Sequence, residues 1–508
     1  MSGISRRGML AGAAAVAGPA ITWGPAAWAQ ARDTVTIGWP SDVPSWDPNQ
    51  RFTPDAQSLF KMVFDQPLDQ DAELKLVPKL ISKWELSPDG RTLSGETRDD
   101  VTFHDGSKMT SADLKWTFFD RIKAGDKVDT ANVWKRVTAF DTPTPNSFVM
   151  HFDSPFATAP NWLGFLGSYV VPKDYMERVG GEGFLAKPVG TGPFKIVDYQ
   201  LNTRVVLERN DAYWGPKPKM KRVVIEIIKD PSARVAAIQS GAVDMVVNVP
   251  VREVTRLGAI PGLAGQLTPI TRVILLQCRN DLGFADENVR LAASHAIDKE
   301  ALSKAFYAGA AVPLSVPATP GSPGFVADFK FAFDPELSRQ LLAKSGFSLE
   351  KPAKLKMATF NGQFPSDYDI ARAIVQMWKK VGIDAELEVV EYAKYFELNR
   401  GAKLPEATLY TFDNATGDPE IYSGYLLNPK LPFSAWKGME IGQKVIDLFT
   451  VADNAKRIAG YRDLAVEAVQ TGASIPLLQS VQTSVRKKEL SYTAFGNGWV
   501  LPQDMSWS

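Results

Sequence analysis

Two hydrophobic periods alternate along the C-terminal half of this chain. In residues 383–389, Ile383, Ala385, Leu387 and Val389 alternate with Asp384, Glu386 and Glu388, a period of two that predicts a strand with one wet face. Residues 366–381 predict a helix closed by Gly382, and 355–359 predict the strand before it. Leu337, Leu341 and Leu342 share one face of a helix that starts at Asp334-Pro335 and stops at Gly346. Residues 453–471 predict an amphipathic helix and 475–479 an extended segment. Strand and helix in turn are the pattern of an α/β lobe.

A second α/β pattern is densest in residues 188–247. Gly190-Thr191-Gly192-Pro193 predicts a tight turn, followed by strands over 194–199 and 204–208 with a turn at 200–203. An aromatic loop surrounds Tyr213 and Trp214, and 223–228 predicts a third strand. Asp230 can cap a short helix with Pro231 in its first position, Gly241 ends it, and 243–247 is again a strand. This βαβ unit predicts that 223–228 and 243–247 are parallel neighbours. Upstream, 35–39 predicts an opening strand, and 134–141 pairs with 147–152. Thr110 followed by Asp113 predicts a capped helix start. Residues 272–276 are apolar and extended, and Asp298 caps a helix that Gly309 ends.

Composition narrows the function. The 508 residues carry 57 basic and 57 acidic side chains, so no global field favours nucleic acid. His104, His151 and His295 lack ligand spacing, so neither a protein-built metal site nor a cofactor is expected. Cys278 is the one cysteine, which excludes an internal disulfide. No Ser-His-Asp set, Cys-His pair or phosphate loop appears, and no catalytic residue is expected. Ser5-Arg6-Arg7-Gly8-Met9-Leu10 looks like a twin-arginine export signal, and Ala27-Trp28-Ala29 fits a cleavage site. Residues 1–29 are expected to be removed in the periplasm.

The residues 190–196 (Gly-Thr-Gly-Pro-Phe-Lys-Ile), the loop Asn210-Asp211-Ala212-Tyr213-Trp214-Gly215 and the run Gln239, Gly241, Asp244 stand in a fixed order. Together they resemble the extracellular solute-binding proteins of ABC importers, family 5, the dipeptide/oligopeptide/nickel-binding type. Ser45-Trp46-Asp47-Pro48 and Pro78-Lys79-Leu80 extend the likeness. It implies an α/β, bilobal periplasmic-binding-protein fold of type II with an extra subdomain. Lobe I would cover 30–270 with the subdomain at about 60–187, lobe II 271–480, and 481–508 would return to lobe I. Two hinge strands would let the lobes close as a Venus flytrap. The implied partners are a small solute (peptide, opine or oligosaccharide-like) and an inner-membrane permease; the protein would be a monomer, not an enzyme.

The ligand is expected at residues 411–419, beyond the strand 407–410, where α/β lobes bind ligands; an ordinary Asx/Gly turn is the alternative. In the peptide-binding relatives this loop carries a Trp and, three residues on, an Asp that pairs with the peptide ammonium. The matching positions are Phe412 and Ala415, so that carboxylate is missing. Either Asp413 replaces it or the ligand has no α-amine. Asn414 completes the expected contact set. Arg272 is expected to meet a ligand carboxylate or to pair within the hinge. Trp46 is divided between core and cleft, and Trp134 and Tyr169 are expected as cleft walls. A secreted hydrolase using Asp413 and Asp418, or a sensory or chaperone protein on the same fold, are the competing readings.

Overall fold

The computed structural model describes residues 33–51, 56–71, 75–414, 416–431 and 434–508. The export-signal residues 1–29 and Ala415 lie outside the described residues. The described chain from Asp33 to Ser508 forms one compact unit. It is an α/β protein built from two α/β halves on two shared strands.

Those strands are Leu263–Cys278 and Ser474–Lys487, which pair antiparallel and lie at the centre of a ten-stranded sheet. On one side of them come Ala407–Phe412, Ala353–Thr359 and Ile383–Val389, parallel to one another. On the other come Met245–Val247, Thr34–Trp39, Arg222–Ile227, Arg204–Arg209 and Phe194–Gln200. Ala407–Phe412 bonds to the second half of Leu263–Cys278, whereas Met245–Val247 bonds to the second half of Ser474–Lys487. Each half of the protein therefore hangs on a different end of the long pair. The register of that pair shifts between Pro269 and Val273, so the ladder is interrupted between the halves.

One expected pairing is corrected. Arg222–Ile227 and Met245–Val247 are not neighbours; Thr34–Trp39 lies between them and is parallel to both. The crossover helix Pro231–Gln239 thus spans one strand position. Val35 and Ile37 on the inserted strand are fully buried, so its apolar face is satisfied only inside the sheet.

Local signals otherwise form as their chemistry dictates. Asp230, Asp298, Asp334 and Asp453 each accept a backbone N–H at the start of a helix. Thr110 and Asp113 form a reciprocal capping box. Ile81–Leu86, Thr92–Thr97, Ser147–Phe152 and Val137–Thr144 form a separate antiparallel sheet.

The Gly190–Gly192 turn explains why its motif is so demanding. A Cβ on Gly190 would stand 2.1 Å from the Val63 carbonyl oxygen. Gly192 donates its N–H to that same oxygen. Thr191 Oγ1, Tyr213 Oη and Trp214 Nε1 all donate to the buried Asp65 carboxylate. The glycine turn and the aromatic loop are therefore parts of one polar cluster around Asp65.

Candidate functional site

Parallel strands deliver their carboxyl ends to one edge of each half, and the loops beyond those ends face the other half. A cavity of about 230 Å³ lies there. Seven of its lining side chains are aromatic, among them Trp162, Tyr392, Tyr410, Phe412 and Tyr425. Arg51, Asp129, Arg400 and Asp413 are the charged groups that reach it. An aromatic wall with few polar groups is the usual make-up of a small-molecule pocket.

The loop after Ala407–Phe412 is held by its own side chains. Asn414 Oδ1 accepts from the Asp418 N–H at 3.1 Å and from Thr416 Oγ1 at 3.2 Å. Asp418 accepts at 2.8 Å from Arg457 Nη1 and also from Arg457 Nη2, and it caps the short turn of helix Pro419–Ile421. Asp418 is thereby a structural carboxylate: it is buried and does not line the cavity.

Beside it, Glu420 accepts from Thr158 Oγ1 at 3.0 Å. Burial, and then the Asp418 charge, raise the Glu420 carboxyl above the usual carboxylate range. Asn161 Nδ2 donates to the Thr416 carbonyl at 2.8 Å, and the rings of Trp162 and Tyr425 meet at 5.5 Å. These contacts join the helix Ala159–Leu163 to the loop after Ala407–Phe412 and to Tyr425.

The register Val273↔Phe412 sets Arg272 beside Asp413. Their nearest charged atoms are 3.8 Å apart, with 13 % and 4 % of the two side chains exposed. Arg272 also lines a small polar cavity of about 30 Å³ with Trp39, Asn248 and Gln482, at the interrupted ladder. Tyr422 donates its hydroxyl to the Thr271 carbonyl there. Burial first, and then Asp413, raise the Tyr422 hydroxyl well above the tyrosine range, so it stays a donor.

Of the expected residues, Phe412 and Asp413 reach the cavity and Arg272 stands directly behind Asp413. Four others do not line this cavity. Trp46 is 3 % exposed and packs edge-on against Phe60 and Tyr199. Trp134 is packed with Phe118 and Phe156, and Tyr169 with Phe60 and Phe64. Large rings bury more apolar area in these cores than at a wetted wall. Asn414 is buried in its own turn, its oxygen already engaged.

The corner at Trp46 nonetheless reaches the site through its neighbours. Asp47 accepts from Arg121 Nη2 at 2.7 Å, and this anchored corner presents Pro44 and Arg51 to the cavity. Tyr392, Phe396 and Arg400 went unnoticed in the sequence. They lie on the helix Tyr392–Arg400, just past the end of Ile383–Val389. The strand-end rule that selects Phe412 also selects Tyr392.

Among the described residues no group of three or more His, Cys, Asp or Glu side chains is placed to hold a metal ion. Cys278 is buried, and burial pushes its thiol up to about 12.

Two hinged α/β halves with a ring-lined cavity between them define a solute-binding protein. Residues 75–430 match the family described as bacterial extracellular solute-binding proteins, family 5 Middle. The nickel-binding periplasmic protein of Escherichia coli (strain K12) is 24% identical over 492 residues, 91% of this chain and 92% of that one. The periplasmic binding protein DppA of Helicobacter pylori, in complex with the peptide STSA, superposes with a TM-score of 0.83 at 20% identity, covering 93% of this chain and 98% of that one. NikA of Brucella suis, in complex with Fe(III)-EDTA, gives 0.82 at 20% identity over 94% and 100%. The chain belongs to the family 5 extracellular solute-binding proteins, which serve ABC importers. These relatives are binding proteins rather than enzymes.

Proposed function

We propose that this protein captures a small solute in the cavity beside Phe412 and Asp413 and hands it, chemically unaltered, to a membrane permease. The carrying observation is that the cavity is walled from both halves, with Trp162 on one side and Tyr410 and Phe412 on the other. Closing the halves buries the solute between rings; opening releases it. Phe412 supplies apolar surface, and the Arg272–Asp413 pair sets the polarity at the base. Lobe I runs over 30–270 and lobe II over 271–480, with 481–508 completing lobe I. Support for this division comes from the two strands that pass between the halves. The sequence of residues 5–10 and 27–29 supports export by the twin-arginine route to the periplasm, with cleavage after Ala29. The protein works as a monomer and catalyses no reaction; Asp418 being held by Arg457 argues against an Asp413/Asp418 acid–base pair.

A solute screen by thermal shift and solution scattering tests this. A solute at about 100 times its Kd should add about 2.7 kcal/mol of stability and shrink the scattering radius. The reading fails if no solute moves either quantity, or if a bound solute is turned over.

A further inference from the structure

The charges around the cavity are unevenly matched, and the mismatch bears on what the site accepts. Among the described residues that line the cavity, Asp413 is the buried carboxylate, and Arg272 already faces it at 3.8 Å. A ligand ammonium arriving there would compete with a cation fixed in place. Arg51 and Arg400 reach the same cavity from opposite halves. Both are exposed. Among the described lining residues Arg51 and Arg400 stand with Asp129 and Asp413, and Arg272, behind the wall, already takes up the Asp413 charge.

Rings can attract a cation for about 0.5–2 kcal/mol, but here that cation would also meet the field of two arginines. A carboxylate would fork onto a guanidinium with about 1.5–3 kcal/mol to gain. It would also relieve the repulsion between Arg51 and Arg400 across the cavity, which links binding to closure.

We propose, on the reading above that this cavity is the solute site, that it selects a carboxylate-bearing solute with a flat apolar body and no free α-ammonium. The rings hold the body, and Arg51 and Arg400 hold the acid from the two halves. The Asp413–Arg272 pair serves as a neutral polar floor and not as an amine anchor. This separates the site from one built for the amino end of a peptide.

Calorimetry on the purified protein with two matched sets of probes tests the inference. One set is the dipeptide Phe-Ala, its N-acetyl derivative and its C-terminal amide; the other is 3-phenylpropionate, phenylalanine and 3-phenylpropylamine. N-acetyl-Phe-Ala and 3-phenylpropionate should bind at least as tightly as the zwitterions. The amide and the amine should be weaker by about tenfold or more, one charged hydrogen-bonded contact. Arg400→Gln and Arg51→Gln, both at exposed positions, should each weaken the acids by about tenfold and flatten the salt dependence of binding. Tighter binding of the amide or amine, loss of binding on acetylation, or acids unaffected by both variants would overturn the proposal. If no acid binds while a neutral or cationic solute does, the charge inference falls and the receptor reading stands. If no solute of any class binds, both fall.

Discussion

Arg272 and Asp413 stand on neighbouring strands with their charged ends 3.8 Å apart, where the long central ladder loses register. Removing one partner takes a close opposite charge away from a buried side chain. Asp413→Ala should therefore destabilise the fold by about 3 kcal/mol, at the low end for a broken buried pair. Adding Arg272→Met should recover most of that loss. Chemical denaturation of the two single variants and the double variant closes the cycle; additive effects would show the pair to be uncoupled.

Gly190 has no room for a side chain. With a Cβ only 2.1 Å from the Val63 carbonyl oxygen, Gly190→Ala must push the turn away from Asp65. A loss of about 3 kcal/mol or more is expected, because backbone cannot yield as a side-chain tip can. Denaturant midpoints would report it, together with altered fluorescence from Trp214.

His104 ties the same turn down through a neutral ring. Nδ1 accepts from the Gly190 N–H at 3.3 Å while Nε2 donates to the Gly192 carbonyl at 3.0 Å. Burial lowers its pKa to about 4. A depressed folded-state value means that the contribution is complete above about pH 6.5 and is lost as pH falls towards 4. Wild type should lose stability through that window more steeply than His104→Gln, as followed by thermal unfolding at stepped pH.

The Asn161 amide joins the helix Ala159–Leu163 to the loop after Ala407–Phe412 through the Thr416 carbonyl at 2.8 Å. On the proposed closing motion, Asn161→Ala removes one bond of the closed form. The closed population should drop by about fivefold, roughly 1 kcal/mol, and solute release should quicken. Stopped-flow release and ligand-free scattering would both register the change.

Much of this was written locally in the chain. The aspartate caps, the alternation in 383–389 and the ordered motifs of 190–244 depend on neighbours a few residues apart, and they lead to the family and the fold. The ends of strands also point to Phe412 and Asp413. Apolar spacing shows which face of an element avoids water but not what covers it. For that reason Trp46 reads as wall or core and Trp134 and Tyr169 as walls, and only packing put all three in the core. The place of Thr34–Trp39 between two strands that follow it by almost two hundred residues is likewise a long-range choice. So is the convergence of Thr191, Tyr213 and Trp214 on Asp65. Periodicity decided the elements because it is a property of one strand or helix. The cavity, with its rings and arginines from both halves, exists only where distant elements meet, and there the tertiary structure alone decided.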